Sequence, residues 1–177
     1  MVIKKKEIKC EECGARIPLK GDGGTFKCES CSTKYEYWPE TKVVHKLIFQ
    51  RIDRSPFEYE LRSNITMGRE SGKGYVEIRS VDVDSIRENT HIRNPFISRD
   101  HCKITVEEGY NILTKADSRK IVVKMRCLIE DLESTWGTKV NDVLLKPDET
   151  RELKNNDTVV LAPKSSLPLK FLYKENV

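Results

Sequence analysis

No stretch of this chain approaches the roughly 18 consecutive apolar residues that a membrane-spanning helix needs, and the opening residues MVIKKKEIKC lack the apolar core of a signal peptide. These two absences predict a cytoplasmic protein. Helical periodicity is missing as well, since nowhere after Trp38 do apolar residues recur at helical spacing over three turns. Internal repeats and low-complexity tracts are also lacking. Glutamine occurs once, at Gln50, while charged residues make up 34% of the chain, a balance compatible with a thermophile. No carboxylate pair, open metal site or nucleophile-base pair emerges, so the sequence assigns no catalytic residue and predicts a protein that is not an enzyme.

Strong charge of one sign is lacking too. The formal net charge is +4, from 32 basic and 28 acidic side chains. Residues 1–40 hold eight basic and seven acidic residues, among them Lys20, Lys27, Lys34 and the run Lys4 to Lys6. Such a balance gives nucleic acid no evident grip, and a solvated surface is the better reading.

What the chain does hold is four cysteines near its start, Cys10, Cys13, Cys28 and Cys31, arranged as two C-x2-C pairs with fourteen residues between them. A reducing cytoplasm disfavours the alternative of two disulfides. Four sulfurs from two tight turns close a tetrahedral site, so the spacing predicts one zinc ion. Gly14 and Ser32 follow the two pairs and help the backbone turn. Four thiolates leave no open position for water, which makes the predicted zinc structural. A forty-residue piece needs such a staple. Cys102 and Cys127 stand apart and read as buried free thiols.

Beyond Pro39 the pattern changes to short strands at intervals of 8 to 12 residues, separated by turn residues. The expected fold is all-β: a small N-terminal zinc ribbon over residues 1–40, then a β-sandwich over 41–177, with a joint near 39–43. Residues 21–24, GDGG, read as a hairpin turn within the ribbon.

In the second part, Gly68-Arg69, then Ile97-Ser98-Arg99-Asp100-His101, then Ser134-Thr135-Trp136-Gly137-Thr138-Lys139-Val140-Asn141, then Asn155 to Leu161 follow one another in an order that resembles the forkhead-associated (FHA) family. The resemblance spans residues 44–174 and implies an eleven-strand sandwich whose loops bind phosphothreonine peptides at one end. A phosphothreonine carries nearly two negative charges and three acceptor oxygens, so its receptor needs fixed donors and a cation. By resemblance Arg69, Ser98 and Arg99 contact the phosphate or the adjoining peptide, Thr135 lines the pocket, and Asn141 hydrogen-bonds the ligand backbone. His101, Gly68 and Gly137 are expected to hold the loops. His101 lies three residues from Ser98, which in an extended chain turns the two side chains to opposite faces and speaks against a nucleophilic pair.

The sequence also departs from the family. An insertion is expected within 70–97, because 28 residues separate Arg69 from Ser98. Trp136 stands where relatives often carry a polar selector, and Asp142 replaces a common glycine. The stretch GRESGKG fails as a phosphate loop on spacing and on the strand that follows it. The domain pairing resembles archaeal regulators that join a zinc ribbon to an FHA domain. That resemblance implies a phosphothreonine-dependent adaptor in kinase signalling, with a threonine-phosphorylated partner such as a von Willebrand type A domain protein and a Ser/Thr protein kinase acting on it. The alternative is a transcriptional regulator whose ribbon binds nucleic acid.

Overall fold

The structure, a computed structural model, describes residues 7–19, 23–38, 44–51, 54–82, 86–114 and 118–176. Lys4 to Lys6, Lys20, residues 21–22 of the predicted turn and the joint at 39–43 lie outside the described residues. The chain divides into two compact units, one of residues 1–42 with 108–125 and the other of 43–107 with 126–177. The sequence reading gave all of 41–177 to the second part. The structure differs by assigning residues 108–125 to the first unit.

In the first unit, β1 (Glu7–Lys9) and β2 (Arg16–Pro18) form an antiparallel hairpin in which Ile8 faces Ile17 across the ladder. β3 (Gly24–Lys27) and β4 (Lys34–Trp38) form a second. Each hairpin wraps one C-x2-C pair. β4 also pairs in parallel with residues 119–122, Arg119 opposite Tyr35 and Val122 opposite Trp38. Ile8, Ile17, Tyr35, Tyr37, Ile121 and Val123 make the core of this unit, with Phe26 stacked on Tyr35 at 5.9 Å between ring centroids. The added segment supplies two of those residues, which supports a hydrophobic cluster too small to stand on hairpins alone.

The second unit is a sandwich of two sheets. β5 (Val44–Phe49), β6 (Phe57–Leu61), β12 (Thr138–Val140), β13 (Val143–Leu144), β15 (Thr158–Leu161) and β16 (Leu169–Asn176) form one sheet in the order β13-β12-β15-β16-β5-β6. The other contains β7 (Ile65–Arg69), β8 (Tyr75–Ser80), β9 (Arg87–Arg93), β14 (Thr150–Leu153) and the parts outside 108–125 of β10 (Cys102–Thr114) and β11 (Arg119–Asp131), in the order β11-β10-β7-β8-β9 with β14 also paired to β11. Alternation sets the faces: His45, Leu47 and Phe49 point inward from β5, and Val76, Ile78 and Ser80 from β8. Leu47, Phe49, Ile65, Met67, Ile104, Ile129, Phe171 and Tyr173 fill the space between the sheets. Among the described residues no helix is long and apolar enough to cross a membrane.

Twelve strands, β5 to β16, serve this unit among the described residues, where eleven were expected. The stretch between Arg69 and Ser98 folds as the hairpin β8-β9, which returns the chain to the end of the sheet where β7 stops. HCKITVEE and YNILTKA, which read as two strands, are joined where the single strand β10 runs from Cys102 to Thr114. KIVVKM and RCLIEDL are likewise joined in β11.

Candidate functional site

Three connections meet at one end of the second unit because β7, β9 and β11 all run toward it. These are residues 70–74, 94–101 and 132–137. Arg69 at the end of β7 gives its backbone N–H to Ser98 O at 2.9 Å and its Nε–H to Ile97 O at 3.0 Å. Those bonds fix the plane of the guanidinium and leave its outer nitrogens for another acceptor. Among the described residues no carboxylate pairs with it. The approach is close enough to exclude a side chain at position 68: a Cβ on Gly68 would sit 1.7 Å from Arg99 O.

Ser98 Oγ accepts the Thr135 N–H at 3.1 Å, which ties the second loop to the third and leaves the hydroxyl hydrogen for another acceptor. His101 lies beneath, fully buried. Its Nδ1 accepts the Ser98 N–H at 3.1 Å, so the ring proton sits on Nε2 and is donated to Gly137 O at 2.9 Å. Its backbone binds Met67 O through N–H and Leu132 N–H through C=O, both at 2.9 Å. Burial lowers the imidazole pKa and keeps it neutral, as this bonding requires. Gly137 has φ +78°, a conformation costly for a residue with a Cβ. Arg69, Ser98, Arg99 and Thr135 are thus gathered at one place, with Arg99 and Thr135 exposed.

Asn141 makes its side-chain hydrogen bonds to other residues. Its Nδ2 donates to Asp157 Oδ1 at 2.9 Å, its Oδ1 accepts the Thr158 N–H at 3.0 Å, and its φ is +52°. Both ends of the amide are engaged within the protein, and the residue braces the turn that leaves β12. One Nδ2 hydrogen and one Oδ1 lone pair of this exposed side chain remain for another partner.

Sequence reasoning missed three residues that shape these loops. Asp131 closes β11 by accepting from Ser134 N, Ser134 Oγ and Thr138 Oγ1 at 2.8, 2.8 and 2.5 Å. Asn94 accepts the Phe96 N–H and donates to Leu167 O. Arg79 donates to Arg99 O at 2.6 Å and to Asp100 at 2.7 Å. The first two carried a readable signal, an Asp or Asn just before a turn. Arg79 carried none, because β8 brings it to partners some twenty residues away on the loop 94–101. Phe96 and Trp136 meet edge to face at 5.9 Å beside Ser98 and Thr135.

In the first unit the sulfurs of Cys10, Cys13, Cys28 and Cys31 all lie within 4.8 Å of one another. Cys10 and Cys31 are separated by 3.6 Å, as are Cys13 and Cys28. A disulfide needs about 2.05 Å. A tetrahedral ion with metal–sulfur bonds of about 2.3 Å needs sulfurs roughly 3.8 Å apart, so this donor set fits one metal ion. The two turns repeat each other: Cys10 N–H to Ala15 O and Gly14 N–H to Cys10 O in the first, Cys28 N–H to Thr33 O and Ser32 N–H to Cys28 O in the second. Gly14 and Ser32 share a positive φ. The Tyr35 hydroxyl donates to Cys10 Sγ at 3.1 Å and lowers that thiol to about 6, favouring the thiolate a metal requires.

The family model described as FHA domain matches residues 65–162. Among solved structures, full-length yeast Pml1p is 21% identical, with 76% of this chain and 83% of that chain covered and a TM-score of 0.50. The yeast Pml1 splicing factor, described with its integration into the RES complex, gives 21%, 76%, 81% and 0.51. The MEK1 FHA domain in complex with the HOP1 pThr318 peptide is 20% identical, with 75% and 97% covered and a TM-score of 0.44. No curated protein matches the chain.

Proposed function

The chain belongs to the FHA domain family, and from that premise we propose that it is a non-enzymatic adaptor that binds threonine-phosphorylated partners. FHA domains are phosphothreonine-peptide-binding modules. The observation that carries the reading here is the joining of a pinned, carboxylate-free Arg69 to a Ser98 hydroxyl whose hydrogen remains to be given. A phosphate takes charge-assisted hydrogen bonds from both. Arg99 and Thr135 stand beside them for the same ligand, with His101, Gly68 and Gly137 holding the loops. The aromatic pair Phe96 and Trp136 offers an apolar face to a residue next to the phosphothreonine.

In this reading residues 1–40 are a ribbon held by one structural zinc, with Cys10, Cys13, Cys28 and Cys31 as ligands. The zinc supplies folding energy and no chemistry. A Ser/Thr protein kinase writes the mark, and the resemblance to ribbon-FHA regulators makes a von Willebrand type A domain protein the first partner to try.

The test is a panel of matched phosphorylated and unphosphorylated threonine peptides, titrated calorimetrically. Hydrogen bonds to charged groups are worth about 1.5 to 3 kcal/mol, so Arg69→Ala and Ser98→Ala are each expected to weaken phosphopeptide binding roughly tenfold to a hundredfold. Unchanged affinity in both variants rejects the assigned pocket.

A further inference from the structure

The four sulfurs of the first unit share one chemistry and differ in their surroundings. Tyr35, fully buried and stacked on Phe26, gives its hydroxyl hydrogen to Cys10 Sγ at 3.1 Å while its oxygen accepts the Glu11 N–H at 3.2 Å. The Thr33 hydroxyl lies 3.1 Å from Cys31 Sγ, and a metal-bound thiolate has no hydrogen to give, so Thr33 is the donor. Cys13 and Cys28 receive no such hydroxyl among the described residues, and their sulfurs lie 3.6 Å apart. Backbone N–H groups reach Cys10, Cys13 and Cys31 alike and do not separate these three. Cys28 is buried, whereas Cys13 is exposed. One sulfur of the four is therefore both open to solvent and without a hydroxyl donor, and it is Cys13.

Once a metal is bound all four are thiolates, so the fraction of thiolate no longer ranks them. Access and intrinsic nucleophilicity do, and nucleophilicity falls as hydrogen bonds draw charge from the sulfur. Burial shields Cys10 and Cys28. Cys31 also reaches the surface, but the Thr33 hydroxyl blunts it.

We propose that Cys13 is an oxidation site and that with Cys28 it forms a peroxide-responsive pair that opens the metal centre. The proposal rests on the structural-zinc reading above. An electron pair of the Cys13 sulfur attacks one oxygen of hydrogen peroxide: an S–O bond forms, the O–O bond breaks, and hydroxide leaves with the electrons of that bond. The Cys28 thiolate, 3.6 Å away, then attacks the oxidised sulfur, so that an S–S bond forms, the S–O bond breaks and a second hydroxide leaves. Two thiolates have then given two electrons to one peroxide. The disulfide ties one C-x2-C turn to the other, and the two thiolates left over no longer make a four-sulfur site.

The test uses the full chain, purified without chelators, with its zinc content measured first. About one equivalent of hydrogen peroxide is added, exchange is stopped with acid, disulfides are mapped by peptide mass spectrometry, and released zinc is read with a chromogenic chelator. The first disulfide is expected to be Cys13–Cys28, at least about tenfold over Cys10–Cys31, with zinc released in step. Cys102 and Cys127, both fully buried, stay reduced. Thr33→Val removes the donor to Cys31 and keeps the shape of the side chain. It should raise the share of the Cys10–Cys31 disulfide, whose sulfurs are also 3.6 Å apart, at least about fivefold, while Thr33→Ser keeps the wild-type pattern. A zinc-loaded chain that forms both disulfides equally, forms Cys10–Cys31 first, keeps its zinc, or gives the same ratio in Thr33→Val overturns the oxidation site and leaves the zinc reading intact. A chain that carries no zinc rejects the zinc reading, and the oxidation site with it.

Discussion

The imidazole of His101 joins two loops through its two nitrogens, accepting from Ser98 N–H and donating to Gly137 O. A second proton on Nδ1 would face the Ser98 N–H, and burial already opposes it, so the folded pKa lies below the ordinary 6.5. As pH falls, the unfolded chain takes up this proton before the folded chain does. Stability is therefore full above about 6.5 and is lost as pH falls toward and through the folded value. His45, lowered mainly by burial, adds the same sign. The urea midpoint of the second unit is expected to fall between about pH 7 and pH 5. His101→Ala should cost about 2 to 4 kcal/mol through the cavity and lost bonds, and should flatten that slope. A midpoint indifferent to pH over this range would reject the neutral, Nε2-protonated ring. At this scale the sequence was legible where residue chemistry is narrow. Arg69, Ser98 and Thr135 offer donors that anion binding demands, whereas asparagine serves ligands and left-handed turns equally well, so the residue type at 141 fits either role.

Among the elements, β7 approaches the loop 94–101 so closely that only glycine fits at position 68. The atom in the way is a backbone oxygen, which cannot rotate aside. Gly68→Ala should destabilise the second unit by about 1 to 3 kcal/mol, the usual range for overpacking, and should lower phosphopeptide affinity by moving Ser98 away from Arg69. Denaturation and calorimetry on the same variant check both effects, and wild-type affinity in Gly68→Ala would refute the close approach. The long strands β10 and β11 were less legible. Gly109 reads as punctuation, yet β10 runs through it, since glycine weakens a strand without ending one whose ladder continues. β9 was hidden for another reason: RENTHIR is mostly charged and polar, and shows only Thr90 buried at its centre.

At the scale of the whole molecule, each unit has its own buried cluster, and only the first has the four thiols. The first cluster is small, so its folding should depend on the metal. Removal by a strong chelator is expected to release one equivalent of zinc, to collapse the signals of Ile8, Ile17 and Tyr35, and to shift those of Ile121 and Val123. Ile65, Ile104 and Ile129, in the other cluster, should keep their dispersed resonances. Loss of dispersion at those three on chelation would show that the two units do not hold their structure independently.

The sequence by itself determined the all-β class and the four-sulfur donor set: cysteine spacing fixes what four sulfurs can close around, and period-two alternation fixes strands and their faces. Tertiary structure alone decided which residues meet. It bonded Asn141 to Asp157 and Thr158 and carried residues 108–125 into the first unit. Local pattern encodes local geometry, whereas these juxtapositions depend on strand order and register, which pair residues scores of positions apart and leave no periodic trace in the sequence.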